Sequence, residues 1–312
     1  MKRMQLNIGL FAAVIGLAVA VWVGRDKPEK LPPLTPLAQD AVTSISIAHP
    51  GAPEIKLARQ DGNWRLTAPV DAPTDPFEVS SLVGLAELDV ERSLALTDVD
   101  QKELKLDPPQ YTITLNDQVL AFGDAEPIKF RRYIKHGDTV ALVSDPPSAA
   151  LDADYSDLVS KDLLPKDARI QRIEVPGLDV DRSSGAWVAE GHSDASTDQL
   201  SQFVNAWTSA HAMWNAARPA DAGDAGKPIR LVLADGELDL RLIEIDPQLV
   251  IDSPAYGVRY TLSKADADKL LALPKPAPTP PPGAAPYSIA APTAENAPAA
   301  TPASDAEEPT DP

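Results

Sequence analysis

The sequence predicts an α+β protein. It reads as two tandem repeat units of antiparallel sheet with packed helices, preceded by one N-terminal transmembrane helix. Three observations carry this reading. An almost wholly apolar run fills Leu6 to Val23. Period-two alternation bounded by turn-forming residues recurs through the middle of the chain, the pattern of half-buried strands. The alternating segments come twice in the same order, with Trp64 and Trp187 at matching places and Asp75 and Asp198 separated by the same interval.

At the start, Lys2 and Arg3 precede the apolar run and Arg25-Asp26-Lys27 ends it. Eighteen helical residues reach about 27 Å, close to the roughly 30 Å hydrocarbon core. Trp22 lies where an aromatic belt residue would sit. The flanking basic residues stay cytoplasmic, so the chain after Arg25 faces outward, which in a Gram-negative cell is the periplasm. Residues 1–25 are therefore read as an inner-membrane anchor, with residues 6–23 in the bilayer. The alternative is a signal peptide cleaved after Ala20, since Ala18-Val19-Ala20 has the small-x-small form. Residues 26–40 form a Pro-rich linker.

The first unit spans residues 41–164. Val42–Ile47 alternates as a strand. Ile55–Arg59 and Asn63–Thr67 flank Asp61-Gly62, the composition of a type I′ hairpin. A helix starts at Asp75 with Pro76 at its first position, and Val79, Leu82, Val83 and Ala86 mark one face. Strands follow at Tyr111–Leu115, Gln118–Phe122, Arg132–Ile134 and Val140–Val143, then a short helix from Ser148. Arg131-Arg132, beside Lys129, reads either as an anion site or as a charged edge strand.

The second unit spans residues 165–273. It has strands at Ile170–Val175, Leu178–Arg182 and Ala186–Ala189, then a capping box at Ser196 and Gln199. Leu200, Phe203, Val204, Trp207 and Trp214 continue at helical spacing, with His211 on the same helix. Strands at Ile229–Leu233, Leu238–Leu242, Leu249–Ile251 and Val258–Leu262 and a helix from Ser263 close the unit. One continuous sheet across both units and two separate sheets both fit this order. Residues 274–312 are a Pro/Ala-rich acidic tail, too poor in core-forming residues to fold.

Composition excludes several functions. The net charge is −18, the wrong sign for a nucleic-acid footprint. With no cysteine there is no disulfide, thiolate metal site or thiol nucleophile. His49, His136, His192 and His211 show no metal-ligand spacing, and Asp152–Asp157 starts like a calcium loop but has no Gly at its sixth position. No serine-nucleophile elbow or phosphate-binding glycine loop occurs. The sequence thus gives no catalytic, cofactor-binding or metal residues and no cofactor.

Four features resemble the bacterial domain of unknown function 4340 family: the anchor, the Asp61-Gly62-Asn63-Trp64 hairpin followed by Pro69 to Pro76, Leu106-Asp107-Pro108-Pro109 before a strand, and Gly123 with Arg132-Tyr133. Leu104-Lys105 stands where members of the family commonly carry Tyr-Gly. The resemblance covers about residues 40 to 270 and implies an accessory role beside ABC-type or other envelope export systems. The expected function is that of a membrane-anchored periplasmic protein, non-catalytic, an accessory or scaffold for an envelope or ABC-type transport complex. Its expected partners are cell-envelope proteins, including ABC-type transporter components. The alternative is a periplasmic small-ligand or glycan-binding module.

Overall fold

The computed structural model describes residues 31–126, 130–146 and 154–275. The first antiparallel sheet contains β1 (Ser44–Ala48), β2 (Ile55–Gln60), β3 (Asn63–Ala68), β4 (Ala72–Pro73), β5 (Val90–Ala95), β6 (Tyr111–Leu115), β7 (Gln118–Glu126), β8 (Arg131–His136) and β9 (Thr139–Ser144). Its spatial order is β4-β3-β2-β1-β6-β7-β8-β9-β5. The second contains β10 (Ile170–Val175), β11 (Leu178–Asp181), β12 (Val188–Ala189), β13 (Trp214–Ala217), β14 (Lys227–Leu233), β15 (Gly236–Glu244), β16 (Leu249–Ser253) and β17 (Val258–Leu262). Its order is β12-β11-β10-β14-β15-β16-β17-β13. Without β4, the two orders are the same. Helix α1 (Pro76–Gly84) lies between β4 and β5, α2 (Thr197–Thr208) between β12 and β13, and α3 (Lys264–Leu270) after β17.

Local chemistry explains the elements. Asp61 and Gly62 have φ of 49° and 84°, the two positive values a type I′ turn requires, so β2 and β3 pair across it. The alternation puts Ile45 opposite Leu57 and Ile47 opposite Ile55. Ile173 opposite Val180 and Val175 opposite Leu178 repeat the arrangement. All eight side chains are buried in the core. Asp75 caps α1 by accepting from the Phe77 and Glu78 amides, and Pro76 follows it. Val79 and Leu82 of α1 are buried in the same core, each worth about 1.5–3 kcal/mol of transfer free energy. Ser196 and Gln199 form a reciprocal capping box on α2. Trp207 is fully buried and donates from Nε1 to the Leu270 carbonyl at 3.0 Å, tying α2 to α3.

The sheets are separate but joined by their connecting chain. On one side of this connector, the Asp75 amide donates to Leu158 O and the Ser160 amide to Pro73 O, both at 2.9 Å. On the other side, the Leu163 amide donates to Ala210 O at 3.1 Å and the Ala212 amide to Lys161 O at 2.8 Å. Residues 158–163 therefore run between β4 and the approach to β13, satisfying backbone groups of both.

This pairing corrects the reading of α2. The helix ends at Thr208, and Trp214 begins strand β13, paired with Thr261, rather than continuing the helical face. His211 is likewise past the helix, in a bridge with Asp162. A spacing of seven fits a helix, but the connector takes the Ala210 and Ala212 backbone groups that a longer helix would use. The other correction concerns Arg131 and Arg132. Their strand β8 is interior, between β7 and β9, and the edges of the first sheet are β4 and β5.

Pro32 to Thr35, within the proline-rich stretch, are built into the fold. The Val90 amide donates to Pro32 O at 2.9 Å and the Leu34 amide to Leu88 O at 2.8 Å. The expected anchor at residues 6–23 and the tail beyond Lys275 lie outside the described residues. Among those residues no helix is long and apolar enough to cross a membrane.

Candidate functional site

The residues singled out by motif meet at two places. In the first sheet, Arg132 is nearly buried and grips Asp145 with two nitrogens, at 2.5 and 3.1 Å. It also donates to Gln110 Oε1 at 3.2 Å and to Gly123 O at 3.1 Å. Gly123 leaves room for the loop carrying Leu104 and Leu106, and the Asp124 amide donates to Leu104 O at 2.9 Å. The Leu106-Asp107-Pro108-Pro109 stretch, Gly123 and Arg132 are thus one structural node. Arg131 pairs with Glu126 at 2.5 Å and Glu91 at 3.3 Å, and those hydrogen bonds raise its pKa. Both guanidinium groups hold carboxylates of this chain, rather than the anion that one of the two alternatives for this pair would place there.

The second place is a cleft of about 640 Å³ beside Trp64. Trp64 on β3 is half-buried and packs on the core, and its carbonyl accepts from Thr74 Oγ1 at 3.0 Å. Val79 and Val83 of α1 and Leu164 of the connector complete an apolar floor. The rim carries Arg59, Asn63, Asp40, Asp162 and Lys166. Arg59 and Asn63 come from the β2–β3 hairpin and Asp40 from the short turn before β1. The connector supplies Asp162 and Lys166, whose place beside Trp64 depends on its pairing with β4.

The hairpin at this cleft has a counterpart in the second half. Arg59, Gly62 and Trp64 correspond to Arg182, Gly185 and Trp187. Arg59 Nε reaches Gly62 O at 3.4 Å, and Arg182 Nε reaches Gly185 O at 3.1 Å. The arginines carry the same separation in the sequence as the two tryptophans. The two hairpins differ at the arginine. Arg182 lies over the Trp187 ring, 5.9 Å from its centroid, and among the described residues no other cation–π pair occurs.

The histidines have local partners. His49 tilts against Tyr111 at 5.5 Å, His136 Nε2 pairs with Gln118 at 3.0 Å, and His192 Nδ1 with the Glu190 carbonyl at 3.0 Å. His211 Nδ1 lies 2.7 Å from Asp162. Asp152 and Ala153 of the calcium-like stretch fall outside the described residues, while Asp154 caps the turn Tyr155–Leu158. Among the described residues no cluster of His, Asp and Glu has the arrangement of a metal site. Next to the cleft, Lys161 Nζ sits 3.0 Å from Asp75. Burial raises the pKa of Glu78 and of Asp157 there, with Lys161 opposing the shift.

No curated protein and no solved structure shows significant similarity to the chain. A family model described as Domain of unknown function (DUF4340) matches residues 64–227, from Trp64 in β3 to Lys227 at the start of β14 and just over half the chain, and the chain belongs to that family.

Proposed function

We propose that this is a single-pass inner-membrane protein whose folded part stands in the periplasm as a non-catalytic accessory or scaffold of an envelope or ABC-type transport complex. The apolar run at residues 6–23 and its basic flank support the membrane and topology parts of the reading. The guanidinium groups of Arg132 and Arg259 each grip a carboxylate with two nitrogens, Asp145 and Asp252, which suits a structural role for these groups.

The observation that carries the reading is where the first described residues lie. Pro32 pairs with the start of β5, the terminal strand of its sheet. Residues 26–31 then span at most about 20 Å, so β5 stands close to the bilayer. Glu91, Arg92 and Ser93 of β5 are exposed in succession. An extended segment of an integral membrane partner can add to this edge as a further strand. A photo-crosslinking residue at Ser93 in intact cells should capture an inner-membrane protein, and the same residue at Asp221, on the loop between β13 and β14 of the second sheet, should not. Capture of nothing at Ser93, or a reporter fused at Gly51 that reads as cytoplasmic, would overturn the proposal.

A second reading has its own support in the Trp64 cleft, whose volume lies within the range of about 300–1,000 Å³ that holds small ligands. In this reading the folded part is a periplasmic small-ligand binder. A saturable rise of the melting temperature on adding such a ligand tests it.

A further inference from the structure

The chemistry around Trp64 narrows what the cleft can hold. Its floor is apolar and contains one flat indole, while its rim offers both donors and acceptors. The four charged rim groups balance: Arg59 and Lys166 against Asp40 and Asp162. A strongly anionic or cationic ligand would therefore meet as much repulsion as attraction.

Part of the rim is available, Asp162 being already paired with His211 at 2.7 Å. Arg59 reaches Gly62 O at 3.4 Å and Asp40 O at 3.5 Å, both longer than a normal hydrogen bond, so its guanidinium keeps donors to give. Among the described residues neither Arg59 nor Lys166 has a carboxylate partner within ion-pair distance. The duplicated hairpin supplies an internal contrast. In the second half Arg182 covers the indole of Trp187, whereas Arg59 reaches toward the Asp40 carbonyl and, among the described residues, no cation lies over Trp64.

An extended peptide is the competing occupant, and strand pairing is how it would bind. That route is closed here. The connector already pairs along β4, with the Ser160 amide on Pro73 O and the Asp75 amide on Leu158 O.

We propose that the Trp64 cleft binds a neutral oligosaccharide. A pyranose ring presents C–H groups from one face to an indole, and its hydroxyls both donate and accept, matching a balanced rim of Asp, Asn and Arg. This assignment rests on the small-ligand reading above and commits it to one chemical class.

The test is calorimetric titration of the full-length chain in nanodiscs with maltotriose and chitotriose, alongside trialanine and trigalacturonate. At least one neutral trisaccharide should bind saturably. Asn63→Ala and Asp40→Ala, both at exposed positions, should each weaken it about three- to tenfold. Trp64→Ala should abolish it, with folding checked by its melting transition; if that variant does not fold, the two rim variants decide. Binding of only trialanine or trigalacturonate, weakened by the rim variants, overturns the saccharide class and leaves the small-ligand reading standing. Binding of none of the four overturns both.

Discussion

Asp252 and Arg259 face one another across the β16–β17 hairpin, with two guanidinium nitrogens on the carboxylate at 2.6 and 3.1 Å. Asp252 has no exposed surface, and Arg218 lies 3.4 Å from its second oxygen. Arg218 opens the loop to Gly226, and its own amide donates to Gly257 O at 2.8 Å. One carboxylate thus holds a hairpin and latches a loop. Asp252→Ala leaves two guanidinium groups facing a buried hole, and should cost about 3–5 kcal/mol in urea unfolding. A loss under 1 kcal/mol would show that the pair is not needed.

Gly123 makes a steric prediction. A Cβ there would overlap the Leu104 carbonyl oxygen and lie 2.8 Å from Leu106 Cδ2. The carbonyl is backbone and is held by the Asp124 amide, so it cannot give way cheaply. Gly123→Ala should lower stability by about 1–3 kcal/mol. Gly84→Ala is the control, because nothing lies within 4 Å of its added methyl and it ends a helix. It should be neutral or stabilising by up to about 1 kcal/mol. Equal melting shifts for the two variants would contradict the packing argument.

These two sites show what the sequence reveals and what it hides. The hairpins were legible because alternation and turn chemistry coincide, as at Asp61-Gly62 and at the Leu57–Leu66 pair. Strand β5 was not, because Glu91, Arg92 and Ser93 face solvent in succession and break the alternation. Strand β13 was hidden by Trp214, whose spacing from Trp207 also fits a helix. Of the cleft, Trp64 and the Val79–Val83 helix face were legible, but the connector side of the rim was not. Asp162 and Lys166 lie about a hundred residues away, and only the pairing of the connector with β4 brings them there. Asp252 was invisible for a related reason: an isolated acidic residue in an acidic chain gives no sign of burial.

Tyr155 ties the end of the first half to the second. Its hydroxyl donates to the Gly257 carbonyl at 2.6 Å, and burial raises its pKa. Nearby, Asn215 Nδ2 of β13 donates to Val159 O at 2.9 Å, so the segment around the turn Tyr155–Leu158 is tied once to the β16–β17 turn and once to β13. Tyr155→Phe removes one tie and should cost about 0.5–1.5 kcal/mol. The loss should appear locally, as faster amide exchange at Ala212 and Leu163. Unchanged exchange at both amides would show that the halves are held elsewhere.

The junction between α1 and the connector should respond to mild acid. Glu78 and Asp157 both have raised pKa values, chiefly from burial, with neighbouring carboxylates adding and Lys161 opposing. A carboxyl with a higher pKa folded than unfolded binds more protons in the folded state, so its contribution to stability falls as pH rises through that window. Acidification from neutrality toward about pH 4.5 should therefore remove a destabilising charge at this junction. Asp124 behaves in the opposite sense. Its hydrogen bond from Lys105 lowers its pKa, so the stability it supplies is lost only as the solution becomes more acidic than the ordinary aspartate range. The two effects occupy different pH windows and can be separated. Glu78→Gln should flatten the rise in melting temperature between pH 7 and about pH 5, and leave the decline below about pH 4 in place. A parental chain whose melting temperature falls steadily from pH 7 downward would show that ionised Glu78 and Asp157 cost the fold nothing.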